Sequence, residues 1–216
     1  MSRENAFLAL LIVLLALLPL SESRFYLFLG TDILIMGLFA VSLNLLLGYT
    51  GLVCFGQGAF FGVGAYTYTL LLKKASLSFP LAFLAAPAGG ALAALILGFF
   101  CIQRTKIYFA MLTLAFSQIV WAVVFKWNSL TGGDNGIIGI PFPLHLDSPA
   151  RFYYFTLAVV VLSFWVLRRI VSSPFGRILT TIRENAERTE FIGIHVKLFQ
   201  LLAFILSGAF SAVAGA

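Results

Sequence analysis

Charge is scarce in this chain. Of 216 residues only 8 are acidic and 14 basic. Charged residues thus make up 10%, against about a quarter in a soluble domain. Water is therefore not its main solvent. Histidine and cysteine occur twice each. Cys54 and Cys101 sit in or beside apolar runs without metal-ligand spacing, so they read as small buried hydrophobes. No His/Asp/Glu cluster falls within an apolar run, which leaves no catalytic or metal site to nominate. A G-x-x-x-x-G-K-[ST] phosphate loop is also missing. The net charge of +6 does not point to nucleic acid, because no basic, aromatic-studded groove can be read.

What is present is hydrophobicity, at 61% of residues and a mean hydropathy of +1.04. It is gathered into seven apolar segments, at about 5–20, 25–47, 51–72, 79–102, 107–125, 152–167 and 198–216. At about 1.5 Å per residue most of these cross a hydrocarbon core of about 30 Å, the first and sixth marginally. Strict alternation over about ten residues, the mark of a β-barrel, is missing. The fold class expected is all-α, a polytopic transmembrane helical bundle of about seven spans forming one domain over 1–216. Arg3 followed by an apolar run could be a signal peptide, but no small-x-small cleavage site follows. A retained first helix is the better reading.

Basic residues orient the bundle. Six of the 14 Lys/Arg lie in 168–197, which reads as a cytoplasmic loop. Counting back places Arg104, Lys106 and the N-terminus inside, and the 126–151 loop outside. Lys73 and Lys74 then fall outside, against the positive-inside tendency. The third segment is the unusual one, since Gly48 to Tyr66 holds six of the 19 glycines. Gly58 and Gly62 form a GxxxG pair suited to close helix packing, and Ser207, Ser211 and Gly215 form a small-xxx-small stripe in the last apolar segment. A broken, partly re-entrant helix lining a polar path is the alternative, with Asn44 and Gln57 supplying amides.

Asp32 is the one acidic residue inside an apolar segment, and an intramembrane carboxylate is a functional candidate. It lies within two turns of the segment's start near Arg24, which suits an interfacial position as well. In the external loop, Gly132, Gly133, Asp134 and Asn135 predict tight turns with positive φ and a compact, ordered loop. Its amides could cradle an anion, or its surface could dock an external partner.

The most informative stretch is 172–193. Ser173 and Pro174 make a helix start as N-cap and N1, and Gly193 makes a C′ stop. Phe175, Ile178, Leu179, Ile182 and Ala186 share one face, and Asn185 is where the helix would break. Arg183–Glu187 and Glu184–Arg188 are spaced as i,i+4 ion pairs. A helix lying on anionic lipid would carry mostly Lys and Arg on its polar face. Glu184, Glu187 and Glu190 favour a protein partner instead.

The spacing Glu187-Arg-Thr-x-x-x-Gly193 resembles the Glu-Ala-Ala-x-x-x-Gly loop of ABC importer permeases, with Arg188 and Thr189 in place of the alanines. Taken with 51–66 (GLVCFGQGAFFGVGAY), 130–136 (LTGGDNG), 173–177 (SPFGR) and 182–185 (IREN), the chain resembles the second permease subunit of high-affinity branched-chain amino acid importers. Relatives in that family carry urea and short amides. The likeness runs from about Leu27 onward, and Gln57 stands where relatives often have histidine.

The resemblance implies a bacterial inner-membrane subunit with a cytoplasmic N-terminus that moves substrate inward by alternating access. It implies a paralogous permease subunit, two cytoplasmic ABC ATPases that bind ATP and Mg, and a periplasmic or lipid-anchored binding protein. No cofactor would reside in this chain, and it would not itself be an enzyme. Pro174, Gly176, Arg177, Arg183, Glu184, Glu187 and Gly193 are the expected ATPase-coupling residues. Members of this family look longer by several helices, so a C-terminally truncated chain is expected. The rival reading is an ion- or proton-coupled secondary carrier using Asp32.

Overall fold

The computed structural model describes residues 15–16, 19, 24–103, 106–139 and 148–216. Among them the chain is helical, without strands. The helices are α1 (Arg24–Asn44), continued by a π-helical segment (Leu45–Thr50), α2 (Gln57–Lys73), α3 (Phe79–Cys101) and α4 (Lys106–Lys126). Then follow α5 (Asn128–Thr131), a 3-10 turn (Gly133–Asn135), α6 (Pro149–Ser172), α7 (Pro174–Glu184), α8 (Ala186–Phe191) and α9 (Val196–Gly215).

Among the described residues five helices are long and apolar enough to cross a membrane: α1 with its π extension, α3, α4, α6 and α9. The remaining two of the seven apolar segments differ for separate reasons. Most of the first lies outside the described residues. The third is broken, because 51–56 is non-helical and α2 begins only at Gln57, with 17 residues. The sixth is longer than its apolar core. Ser148 and Pro149 start it, and Arg168 and Arg169 continue the helix to Ser172. Proline suits a first helical turn because its missing N–H costs nothing there.

Without a hydrophobic drive inside lipid, helices associate through close backbone approach. Helix α3 buries Ala82, Ala86, Gly90, Ala94 and Gly98, one small residue every four. This stripe packs on α9, where a Cβ at Gly90 would strike Gly208 and Ala212, and one at Gly98 would strike Leu201 and Phe204. The pairing is antiparallel. Helix α2 lies on α9 in the parallel sense, with Gln57 bonded to Ser207 and, further along both helices, Gly64 against the Ala212 backbone. The stripe Ser207, Ser211, Gly215, legible in the sequence, is interior: both serines are fully buried.

Gly58 and Gly62 take no part in the helix packing among the described residues, where a Cβ at either would meet nothing within 4 Å. The register of α2 turns Phe60 and Gly64 inward instead. Phe60 closes edge-on against Phe204 at 5.2 Å between ring centroids.

Helices α1 and α6 are parallel. Leu27 and Leu34 pack with Tyr153 and Leu157 at one end, and Leu45 and Tyr49 face Leu167 and Val171 at the other. Tyr153 and Tyr154 also donate to the carbonyls of Leu15 and Ala16, the described part of the first segment. Large side chains such as Phe28, Ile33, Leu92, Phe99, Met111 and Trp165 are exposed around the bundle, as befits surfaces that meet lipid.

Candidate functional site

The two ends of the bundle carry different polar structures. At one end, α2 finishes in Lys73 and Lys74. Lys73 Nζ donates to Ile138 O at 2.6 Å, and Lys74 Nζ donates to Ser129 O at 2.7 Å. The two lysines that break the positive-inside tendency are therefore tied to the loop expected on their own side.

That loop is compact, but glycine alone supplies its positive φ. Gly132, Gly133, Gly136 and Gly139 have φ of 80°, 57°, 64° and 75°, whereas Asn135 has no positive φ. Thr131 is buried and its hydroxyl donates to Val124 O and Trp127 O. Three of the amides that could have cradled an anion are already used. The amides of Gly132, Gly133 and Gly136 are spent on Asn128 O, Thr131 Oγ1 and Gly133 O. Asp134 and Asn135 are both exposed.

At the other end sit α7 and α8. Ser173 is the N-cap by position and Pro174 is N1, yet the Ser173 hydroxyl donates back to Ile170 O rather than capping α7. Leu179 and Ile182 are fully buried against the bundle. Gly176 is buried too, and a Cβ there would collide with the Val171 backbone. It lets α7 fold tightly back on α6 and presents nothing to a partner.

Asn185 breaks the segment, with φ −155° and ψ 101°, and its Oδ1 accepts from Arg188 N to cap α8. This break corrects one expectation. Arg183–Glu187 and Glu184–Arg188 form no ion pairs, because extended backbone between them destroys the i,i+4 geometry. Arg183 reaches back instead, donating from Nη1 to Gly48 O.

Pro174, Arg177, Glu184, Glu187 and Gly193 are exposed, and Gly193 has φ +85° with open space around it. The structure adds two residues to this face. Phe191 is 89% exposed and Ile192 70%, a bare apolar tip beside mixed charge. Counting residues along a helix face gives them no role, because they close the last helical turn. Two adjacent large apolar residues just before a glycine stop are the signal that the sequence offers.

Between the two ends lies a buried polar brace. Gln57, 3% exposed, opens α2 just past the middle of α9. Its Nε2 donates to Ser42 Oγ at 3.1 Å and to Ser207 Oγ at 2.9 Å. Ser207 Oγ donates to Ser42 O at 2.6 Å, and Ser211 Oγ to Gln57 O at 3.3 Å. Helices α1, α2 and α9 are thereby joined, and among the described residues Gln57 Oε1 alone stays buried without a partner. Asn44 is not part of this. It is exposed, in a groove of about 290 Å³ with Tyr49, Leu167 and Arg168.

Asp32 is exposed and lines a mostly apolar cavity of about 360 Å³ with Phe61, Tyr68, Phe83 and Phe155 among others. No group of three or more His, Cys, Asp or Glu among the described residues could hold a metal.

Residues 25–216 match the family described as branched-chain amino acid transport system / permease component. The chain is 32% identical over 244 aligned residues to the high-affinity branched-chain amino acid transport system permease protein LivM of Escherichia coli (strain K12). It is 31% identical to the LivM of Salmonella typhimurium. Each comparison covers 99% of this chain and 56% of the relative, so the chain spans about half the length of these curated relatives. No solved structure matches. A multi-pass helical bundle with these sequence relationships belongs to the branched-chain amino acid transport system permease family.

Proposed function

We propose that this chain is a permease subunit of an ATP-binding-cassette importer, carrying branched-chain amino acids inward across a bacterial inner membrane. Separate ATPase subunits bind ATP and Mg and drive alternating access. A paralogous permease completes the path, and an external binding protein delivers substrate. The observation that carries this reading is the α7–α8 pair. One face is buried on the bundle through Leu179 and Ile182, and the other offers mixed charge and the apolar tip Phe191–Ile192. Charged residues around an exposed apolar anchor form the kind of surface that another protein covers.

On this reading the α7–α8 end is cytoplasmic, along with the N-terminus, and Lys73, Lys74 and 128–139 are external. Pro174, Arg177, Glu184, Glu187 and Gly193 face the ATPase, and Gly176 holds α7 in place for them. Gly132, Gly133, Asp134 and Asn135 shape the external surface toward the binding protein. Asn44, with its amide open to a groove, is placed to meet solute, and Gln57 braces the wall behind it. Gly58 and Gly62, which meet no helix among the described residues, are available to the paralogous permease.

Leucine uptake in the reconstituted full complex tests the proposal, with isoleucine, valine, urea and a short amide as competitors. ATP-dependent uptake displaced by the branched-chain amino acids supports it. Displacement only by urea or the amide would change the substrate, and uptake indifferent to ATP would end the reading. Asp32 beside the 360 Å³ cavity is the one observation that favours a proton-coupled carrier instead.

A further inference from the structure

Helix α1 does not end as an ordinary helix. Its last turns widen into the π segment Leu45–Thr50, where bonds run i to i+5. Thr50 folds its hydroxyl onto Leu45 O, and the amides of Gly51 and Leu52 both donate to Leu46 O. With those amides spent, the carbonyl of Gly48 accepts from Arg183, 135 residues away. A helix C-terminus carries partial negative charge and unsatisfied carbonyls. Arg183 is thus a cationic cap delivered to α1 by α7.

Gly51 fits this contact in two ways. Its φ of +72° is left-handed, and a Cβ there would stand 3.0 Å from Arg183 Cγ. The next residues, 51–56, are non-helical and end at Gln57. Sideways they are held by Phe55 N donating to Thr113 Oγ1 at 3.3 Å, by Gly56 close against the Thr113 carbonyl and by the burial of Leu52 and Cys54. A movement of α7 therefore meets the bundle at Gly48 and Gly51, just upstream of the amide that joins α1, α2 and α9.

Resting on the transport reading above, we propose that Arg183 is the strut through which α7 drives the break at 51–56, and that this break is the moving part of the subunit. Arg183 is a positioning residue here. Its task is to transmit displacement, and Glu187, Phe191 and Ile192 remain the groups that meet the ATPase.

The test uses the full complex in lipid vesicles, with Cys54 and Cys101 replaced by alanine and Phe55→Cys as the reporter, since Phe55 is 60% exposed. Maleimide labelling is timed in the nucleotide-free and vanadate-trapped states. In the Arg183-containing background the two rates should differ about fivefold or more, the range of an ordinary coupling between sites. Arg183→Ala should reduce the difference below about twofold while the ATPase still co-purifies, and ATP hydrolysed per leucine should rise by about tenfold. Arg183→Lys should restore the labelling response. If Arg183→Ala does not assemble, Arg183→Gln keeps the stem against Gly51 and should show the same loss. An unchanged response in the variants overturns the strut, and so does a background in which position 55 never responds. Uptake indifferent to ATP in the background strikes the transport reading instead.

Discussion

The amide of Gln57 donates to the hydroxyl of Ser207 at 2.9 Å, and that hydroxyl donates onward to the carbonyl of Ser42. Ser42 Oγ likewise donates to Phe39 O at 2.7 Å. Both serines keep a partner of their own if Gln57 is lost, while the orphan Oε1 disappears with it. Gln57→Leu should therefore stay within about 1 kcal/mol of the parent, because a polar group removed whole leaves no unsatisfied donor. Ser207→Ala removes the 2.9 Å acceptor and the donor to Ser42 O. It leaves the Gln57 amide on Ser42 Oγ and on the longer bond to Ser207 O at 3.3 Å, and should cost about 1 kcal/mol, an ordinary interhelical bond in lipid. Thermal unfolding in nanodiscs, followed by tryptophan fluorescence, ranks the two. The reverse order would mean that the brace is not the network described.

Arg177, Glu187, Asp134 and Asn135 are exposed, the first pair beside α7–α8 and the second in the loop held by Lys73 and Lys74. Single cysteines at 177 and 187 should react with a membrane-impermeant maleimide only from the cytoplasmic face, and those at 134 and 135 only from outside. Labelling of all four from one face would refute the arrangement of the ends.

Gly193 has φ +85°, and a Cβ added there would meet nothing within 4 Å, so substitution brings conformational strain and no collision. Gly193→Val should cost about 1 kcal/mol, insert normally, and weaken the ATPase's hold by redirecting the chain after α8. Phe191→Asp places charge on the apolar tip and should lower co-purification of the ATPase about tenfold or more, as loss of an interface anchor does. Glu187→Lys should weaken it less, since rim charges steer more than they hold. Co-purification at the parental level in all three would remove α8 from the interface.

Asp32→Asn distinguishes the two energy sources. Uptake by the variant should remain dependent on ATP and should be insensitive to a protonophore when ATP is maintained. Uptake that collapses with the proton gradient in the parent, and is lost in Asp32→Asn, would favour the carrier.

Much of this was legible in the residues themselves. The bundle follows from apolar length, the break at Asn185 and the stop at Gly193 from local backbone chemistry, and the Ser207–Gly215 stripe from spacing along one helix. Gly58 and Gly62 meet no helix among the described residues, because a GxxxG spacing says that a helix can approach, not which helix is there. The stripe Ala82 to Gly98 has the same every-fourth pattern and does the packing, but alanines in an apolar run look like filler. The Arg183–Gly48 contact joins positions far apart in the chain, and no local pattern encodes it. Arg183 instead suggested a pair with Glu187, which a single extended residue abolishes.

The tie between Lys73, Lys74 and the loop has a bearing on how the chain is made. The lysines leave the ribosome 65 and 55 residues before their acceptors, Ile138 and Ser129, respectively. On the topology proposed above, the hairpin of α2 and α3 during that interval has two cations on the side that the positive-inside tendency disfavours, before their acceptors exist. The bonds that hold the two lysines thus come from chain made after α4, so on that topology the later half of the bundle supplies the contacts that offset the charge of the earlier half.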